Sequence, residues 1–385
     1  MNYLNIDTKE LEQRGGYNTA KEISLQPEMW LQTYERVREE KDQLSQFLER
    51  ALRKSLSCVI LTGAGTSAFI GEALVGSFQR NLKVGTKSIA TTDIITHPED
   101  YFVQSKPTLL ISFARSGDSP ESLATVKIAE EHCDHLYQLI ITCNSDGELA
   151  INSRNNHSYV FVLPEETNDR SLAMTSSFSS MMLAGLLMLN LDQIEDILPT
   201  LKNLYDCGKF IIEKNLSTYK SIAELDFKRA VFLGSGPLFG IAHESHLKVQ
   251  ELSDGKVICK YDSFLGFRHG PRAVVDISTL IVYLMSFSDP VKQYELDLIR
   301  SINESSVGAK SVGIGYGFNE EELNIDYAIK FPKSILSIPK DFLFVLYILP
   351  AQIIGFYKSL DLGLKPDSPS KGGSISRVVQ GVTIY

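Results

Sequence analysis

Arg115, Ser116 and Ser119 stand together in the stretch Phe113-Ala114-Arg115-Ser116-Gly117-Asp118-Ser119-Pro120-Glu121-Ser122, between an apolar run, Leu109–Ser112, and a helical pattern, Glu121–His132. Where a strand hands over to a helix, backbone N–H groups point outward and the helix dipole adds positive potential. A guanidinium and two hydroxyls at such a junction form a donor set that grips a phosphate without bulk positive charge. Ser119 as N-cap with Pro120 at the first helical position is a plainer reading of part of this pattern, but it leaves Arg115 and Ser116 unexplained. A second turn, Gly63-Ala64-Gly65-Thr66-Ser67, offers close backbone approach and two more hydroxyls. A third, Met174-Thr175-Ser176-Ser177-Phe178-Ser179-Ser180, precedes an apolar helix. Alone each is a helix start; together, Thr66, Ser67, Thr175 and Ser176 would complete a polar ring around a sugar. Gly63-x-Gly65 is followed by Ala68 where a dinucleotide turn needs its third glycine, and no Gly-Lys-Ser/Thr occurs there, which excludes nicotinamide and ATP at this turn.

Charge reappears on a predicted helix, Ala242–Leu252, where Glu244, Lys248 and Glu251 fall at i, i+4 and i+7 on one face. Taken alone, that spacing reads as a solvated face with an ordinary Glu–Lys pair. His243 and His246 do not match the H-E-x-x-H spacing of a zinc site. His269, in Phe267-Arg268-His269-Gly270-Pro271, sits on a constrained loop and reads equally as a functional or an exposed histidine.

The elements that must carry these residues occur twice. Gly63 and Gly65 return as Gly234 and Gly236, about 171 residues on, in Leu233-Gly234-Ser235-Gly236-Pro237, and the same offset relates Leu109–Phe113 to Leu280–Leu284. A repeat this long is two copies of a domain, since solenoid units are far shorter. Predicted strands lie at Cys58–Thr62, Thr108–Ser112, Leu139–Cys143 and Tyr159–Leu163 in the first copy. In the second they lie at Ala230–Leu233, Val257–Tyr261, Thr279–Met285, Ser311–Gly315 and Tyr327–Lys330. Helical patterns alternate with them, which implies α/β domains with parallel sheets. The second copy of the phosphate-type stretch, Met285-Ser286-Phe287-Ser288-Asp289-Pro290, keeps a turn but lacks Arg and Gly, so one such site per chain is expected, in the first domain. The expected organisation is a helical leader over 1–50, with an amphipathic stretch at Arg36–Arg53, a first domain over 51–197, a helical connector over 198–224, and a second domain over 225–385. The tail of that second domain, Gly363–Tyr385, reads as an ordered strap.

Of 385 residues, 43% are hydrophobic and 22% charged, with a formal net charge of −9. That acidity gives no nucleic-acid footprint and points to a small-molecule partner. The five cysteines are scattered without a C-x-x-C pair and read as reduced thiols. The start, Met1-Asn2-Tyr3-Leu4-Asn5, lacks a signal-peptide pattern. Phe178–Leu191 and Phe342–Tyr357 are too short for membrane spans and read as buried helices. A cytoplasmic location without membrane partners is therefore expected.

Together these pieces resemble the sugar isomerase (SIS) family: the isomerase half of glucosamine-6-phosphate synthase and, more closely, the AgaS branch of tagatose-6-phosphate ketose/aldose isomerases and galactosamine-6-phosphate deaminases. Gly16–Ile23 with Gln26-Pro27, Phe113–Ser122, Leu233–Glu251, Arg268–Pro271 and the ending Arg377–Ile384 carry the resemblance, which spans nearly the whole chain. It implies two tandem SIS domains, each a three-layer αβα sandwich around a five-stranded parallel sheet, in a homodimer or higher homo-oligomer with shared active sites. It places Arg115, Ser116 and Ser119 on the phosphate, and Thr66, Ser67, Thr175 and Ser176 on the sugar. It gives Glu251 the proton transfer between sugar C1 and C2, His269 the ring opening from a neighbouring subunit, and Glu244 and Lys248 supporting places on the same helix. The sugar-binding lysine of the synthase aligns with Gln380, with Lys371 as the other candidate. No glutamine-hydrolysing domain is present, so ammonia release fits better than ammonia capture.

The chemistry is self-consistent. Aldose–ketose interconversion needs a base that takes a proton from one carbon and returns it to the next; a histidine suits ring opening; the phosphate supplies remote binding; no metal or other cofactor is required. The expectation is conversion of galactosamine 6-phosphate to tagatose 6-phosphate and ammonia. Plain ketose/aldose isomerisation, a deglycase, or a sugar-phosphate sensor without turnover are the alternatives; a sensor has no need of Glu251 and His269.

Overall fold

The structure, a computed structural model, describes residues 2–52, 58–153, 155–305, 308–379 and 381–385. The chain forms two compact units. A front unit comprises Glu28–Asp169, Ser176–Leu201 and Ile375–Tyr385; a rear unit comprises Met1–Pro27, Arg170–Thr175 and Lys202–Ser374.

The front unit is built on a five-stranded, wholly parallel sheet in the spatial order Gly85–Ser88, Cys58–Thr62, Thr108–Ala114, Leu136–Thr142, Ser158–Val162. The central strand Thr108–Ala114 is buried at all seven positions, as expected where crossover helices cover both faces of a sheet. In chain order the arrangement is 2-1-3-4-5. The rear sheet repeats it: Ile258–Asp262, Arg229–Gly234, Thr279–Leu284, Lys310–Gly315, Tyr327–Lys330, again all parallel. The predicted strands are present with ends shifted by up to three residues. Gly85–Ser88 is an edge strand absent from the sequence reading; its Gly-Thr-Lys-Ser composition carries no apolar alternation, and it exists because Cys58–Leu61 pairs with it.

The repeat extends to backbone angles. Gly65 (φ 55°, ψ −128°) and Gly236 (φ 57°, ψ −125°) immediately precede the helices Thr66–Leu82 and Pro237–Leu252 in the same left-handed conformation, one that costs an L-residue energy. A Cβ on Gly63 would lie 2.6 Å from Ser67, and one on Gly234 2.1 Å from the Leu238 carbonyl oxygen. Both glycines therefore let the helix start close against its strand.

The leader carries the helices Thr8–Arg14, Tyr17–Ser24, Gln26–Glu39 and Lys41–Leu52, so the amphipathic stretch is broken between the last two; Leu44 and Phe47 are fully buried, and Arg53 lies outside the described residues. The connector is likewise broken, into Leu198–Lys214 and Leu216–Ala223, where the Asn215 amide turns back to donate to the Ile211 carbonyl. Ser176–Met188 is buried at every position. The other apolar segment forms Lys340–Tyr347 and Leu349–Asp361. It is long and apolar enough to cross a membrane, yet 94% of its most apolar window is buried inside the protein, the behaviour of a core helix.

Among its described residues the tail forms no helix or strand. Val379 and Val382 are 52% and 40% exposed. Two side chains fasten the tail instead. Asp367 accepts hydrogen bonds from the Asn18 and Thr19 backbone N–H groups and from the Thr19 hydroxyl. Arg377 is held in the front unit.

Candidate active site

In a parallel sheet of order 2-1-3-4-5, the direction in which successive strands are added reverses between the first and third strands, and the crevice outside their carboxyl ends is where ligands bind. The front loops at that point are Gly63–Gly65, after Cys58–Thr62, and Arg115–Ser119, after Thr108–Ala114. The Gly63 turn and the Arg115 loop, singled out in the sequence for their donors, are thus the two that flank the switch point.

The Arg115 loop is braced from behind. The Ser116 carbonyl accepts from the Asn144 side-chain amide at 2.8 Å, and the Gly117 carbonyl from the Leu149 N–H at 2.9 Å. Gly117 has φ +76°, and a Cβ on Gly147 would lie 2.3 Å from the Ser116 carbonyl oxygen, so the loop cannot relax backward. Ser119 occupies the N-cap position of the helix Pro120–His132, but its hydroxyl does not cap the backbone; it donates to the Glu121 carboxylate at 2.6 Å. The capping reading of this serine is therefore only positional. Thr66 and Ser67 are buried in the first helical turn, with Gly65 as the N-cap; neither hydroxyl is the cap.

Arg115 is 93% buried, and its guanidinium donates to the backbone carbonyl of Arg377. Arg377 in turn donates from Nε to the Asp169 carbonyl at 2.8 Å and from Nη2 to the Asn168 side-chain oxygen at 2.7 Å. The Asp169 carboxylate, fully buried, accepts from the Ser176 and Ser177 N–H groups at 2.9 and 3.0 Å and from the Ser177 hydroxyl at 2.5 Å. It satisfies the start of the helix Ser176–Met188 from outside, and the Ser176 hydroxyl is left buried without a hydrogen-bond partner. The Thr62 hydroxyl, at the carboxyl end of the first strand, is in the same state. Buried hydroxyls rarely stay unpaired, so both are candidates for a bound polyol. Sequence reasoning missed Thr62, Asn168, Asp169 and Arg377. For Arg377 the only signal was its place in the closing segment; Asn168-Asp169 carried none beyond its polarity.

In the rear unit the helix Pro237–Leu252 is not a solvated surface. Glu244 and Lys248 are fully buried, and Glu251 is 22% exposed at its side chain. Lys248 Nζ lies 3.2 Å from Glu244 and 2.7 Å from Glu251. The solvated-face reading fails because the helix Leu349–Asp361 packs on this one. Gly355 admits the approach: a Cβ there would lie 3.2 Å from the Lys248 carbonyl oxygen and 2.9 Å from Leu252. Burial disfavours the Lys248 charge, but the carboxylates of Glu244 and Glu251 outweigh it and raise its pKa above the usual lysine value. An ammonium thus joins an inner carboxylate to an outer, partly exposed one, pinning one oxygen of Glu251.

Other expected residues stand apart. His269 is exposed on the loop after the short helix Phe264–Phe267, its backbone N–H held by the Gly266 carbonyl, with Gly270 next to it at φ +116°. Lys371 is exposed; its N–H reaches the Asp254 carboxylate at 3.4 Å, in the turn that ends the Glu251 helix. Gln380 lies outside the described residues. His243 stacks on Tyr261 with ring centroids 3.7 Å apart. The His246 ring lies 5.2 Å from that of His243, and burial lowers the His246 pKa to about 4.

Two tandem five-stranded parallel sheets of order 2-1-3-4-5, with hydroxyl-lined turns at the front switch point and a buried carboxylate–ammonium–carboxylate array on a rear helix, define a protein of the sugar isomerase (SIS) class. No family model matches the sequence. Over 99% of its length the chain is 39% identical to the D-galactosamine-6-phosphate deaminase AgaS of Shewanella sp. (strain ANA-3), covering 95% of that protein. A solved structure from Clostridium novyi NT superposes with a TM-score of 0.96 at 41% identity, covering 100% of this chain and 99% of that one. The tagatose-6-phosphate ketose/aldose isomerase of Escherichia coli superposes with a TM-score of 0.87 at 34% identity, covering 100% and 99%. The chain belongs to the AgaS family.

Proposed function

We propose that this chain is a phosphosugar deaminase/isomerase that converts galactosamine 6-phosphate to tagatose 6-phosphate and ammonia. The near full-length likeness to a protein named for that deamination supports the reading. The observation that carries it is the Glu244–Lys248–Glu251 array. A binding protein has no use for a buried ammonium that fixes an outward carboxylate, whereas a carbon acid needs that carboxylate.

The phosphate is held by Arg115, Ser116 and Ser119 with the amides of the Pro120–His132 helix start, and the sugar hydroxyls by Thr66, Ser67, Thr175 and Ser176. Lys371 and Gln380 are the remaining sugar-contact candidates. His269, exposed on its loop, opens the pyranose ring and serves a neighbouring subunit's substrate in a homodimer. Glu251 then removes the C2 proton of the open-chain amino aldose, giving the 1,2-enolamine. Returning a proton to C1 gives the C2 imine and a CH₂OH group. Water adds to the imine and ammonia leaves, producing the ketose. One carboxylate performs both proton transfers, and Lys248 keeps it in place.

The test is ammonia and ketose formation from galactosamine 6-phosphate by the purified protein, with galactose 6-phosphate in parallel. The name of the Escherichia coli structure favours a second reading, plain ketose/aldose isomerisation. Turnover of galactose 6-phosphate without ammonia release from the amino sugar would establish that reading instead. Binding without turnover of either would leave a sensor.

A further inference from the structure

The rear switch point has the same two loops as the front one, after Arg229–Gly234 and after Thr279–Leu284, but a side chain of the rear unit itself fills the place between them. Glu295, on the helix Asp289–Ser305, is fully buried. Its carboxylate accepts from the Ser286 N–H at 2.8 Å and the Ser286 hydroxyl at 2.6 Å, from the loop after the third strand. It also accepts from the Ser235 side chain, in the glycine turn after the first strand. Ser286 stands at the repeat position of Arg115, and Ser235 at that of Ala64. The corresponding turn of the front helix carries Ala124 and Thr125, neither of them charged.

We propose that the rear unit holds a second oxyanion cradle built like the front one and kept closed by its own Glu295 carboxylate, so that removing this carboxylate opens a second site for inorganic phosphate. A buried carboxylate costs free energy unless it is well hydrogen-bonded. Three donors converging on one carboxylate, from the two loops that flank a switch point, are the arrangement an external oxyanion would find there. The consequence is functional: each chain offers one phosphate subsite, because the other is occupied from within. Burial raises the Glu295 pKa, and Ser286 and Ser235 oppose the shift; the carboxylate is thus held at some cost, which an exogenous phosphate dianion would replace.

The inference rests on the phosphate reading of the front loop, and the experiment separates the two. Inorganic phosphate is titrated calorimetrically into the wild type, Arg115→Ala, Glu295→Ala and the double variant. The expected stoichiometries per chain are one, zero, two and one. A double variant that binds none overturns the proposal while leaving the front reading intact. An Arg115→Ala protein that still binds one phosphate overturns the front reading; the rear cradle is then judged by whether Glu295→Ala gains a site over wild type. Should Glu295→Ala not fold, Glu295→Ser is titrated in its place, and recovery of folding by phosphate but not by chloride counts for the proposal. Failure of both variants to fold in phosphate buffer counts against it, since the anion should substitute for the lost carboxylate.

Discussion

Replacing Lys248 with methionine removes the ammonium that lies 3.2 and 2.7 Å from two carboxylates. At an effective dielectric constant near 20, unit charges about 3 Å apart attract by roughly 5 kcal/mol, and burying the ammonium offsets much of that. What remains after the substitution is Glu244, fully buried, deprived of this ammonium. Breaking a buried pair from one side costs about 3–5 kcal/mol, because the surviving charge is stranded. Lys248→Met should therefore lower the unfolding free energy by about 3–5 kcal/mol in urea titrations followed by far-ultraviolet circular dichroism, as a shift of midpoint at unchanged slope. Adding Glu244→Leu removes the stranded charge, and the double variant should return to within about 1 kcal/mol of wild type. A single variant that loses less than about 1 kcal/mol, the worth of an exposed ion pair, would refute the claim that this array is desolvated.

Arg115→Ala should raise KM for the sugar phosphate by about 10–150-fold, the worth of a charge-assisted hydrogen bond of about 1.5–3 kcal/mol, with kcat much less affected; an unchanged KM removes Arg115 from the phosphate site. Arg377→Ala releases the contacts to Asn168 and Asp169 and loosens the carbonyl that holds the Arg115 guanidinium. It should raise KM in the same direction but by less, and inorganic phosphate should weaken as an inhibitor in step; a kcat effect alone would show that the tail does not position Arg115. His246 has its pKa lowered to about 4 from 6.5. Between those values the unfolded chain takes up a proton that the native chain refuses, so stability falls as pH falls through that window. The share is about 2 kcal/mol by pH 5, at about 1.4 kcal/mol per unit below the unfolded pKa. His246→Gln should remove this share, and parallel stability curves for variant and wild type between pH 7 and pH 5 would contradict the assignment.

The fold was legible because it is written twice. Gly63 and Gly65 return as Gly234 and Gly236, and the structure gives Gly65 and Gly236 nearly the same backbone angles. The edge strand Gly85–Ser88 was not legible, because an edge strand of Gly, Thr, Lys and Ser is specified by its neighbour and not by its own pattern. The Glu244–Lys248 pair was misread from spacing alone: an i, i+4 pair looks the same on a solvated helix as on one covered by a second helix, and the cover, Leu349–Asp361, lies about a hundred residues away in sequence. The contacts of Asp169 and Arg377 were not legible for a similar reason. Their meaning lies in contacts with Ser176, Ser177 and Arg115 that only folding creates. Ser119 shows the reverse error, a residue at the right cap position whose hydroxyl turns to Glu121.

The central claim is that the Glu251 carboxylate carries the proton between C2 and C1, and Glu251→Gln tests it most directly, since it keeps the shape and removes the base. Turnover of galactosamine 6-phosphate should fall by about 10²–10⁴-fold while the affinity for the sugar phosphate, measured by calorimetry, stays within a few-fold of wild type. In D₂O the wild type should place no more than one deuterium at C1 of the ketose. A glutamine variant that releases ammonia at the wild-type rate would contradict the account.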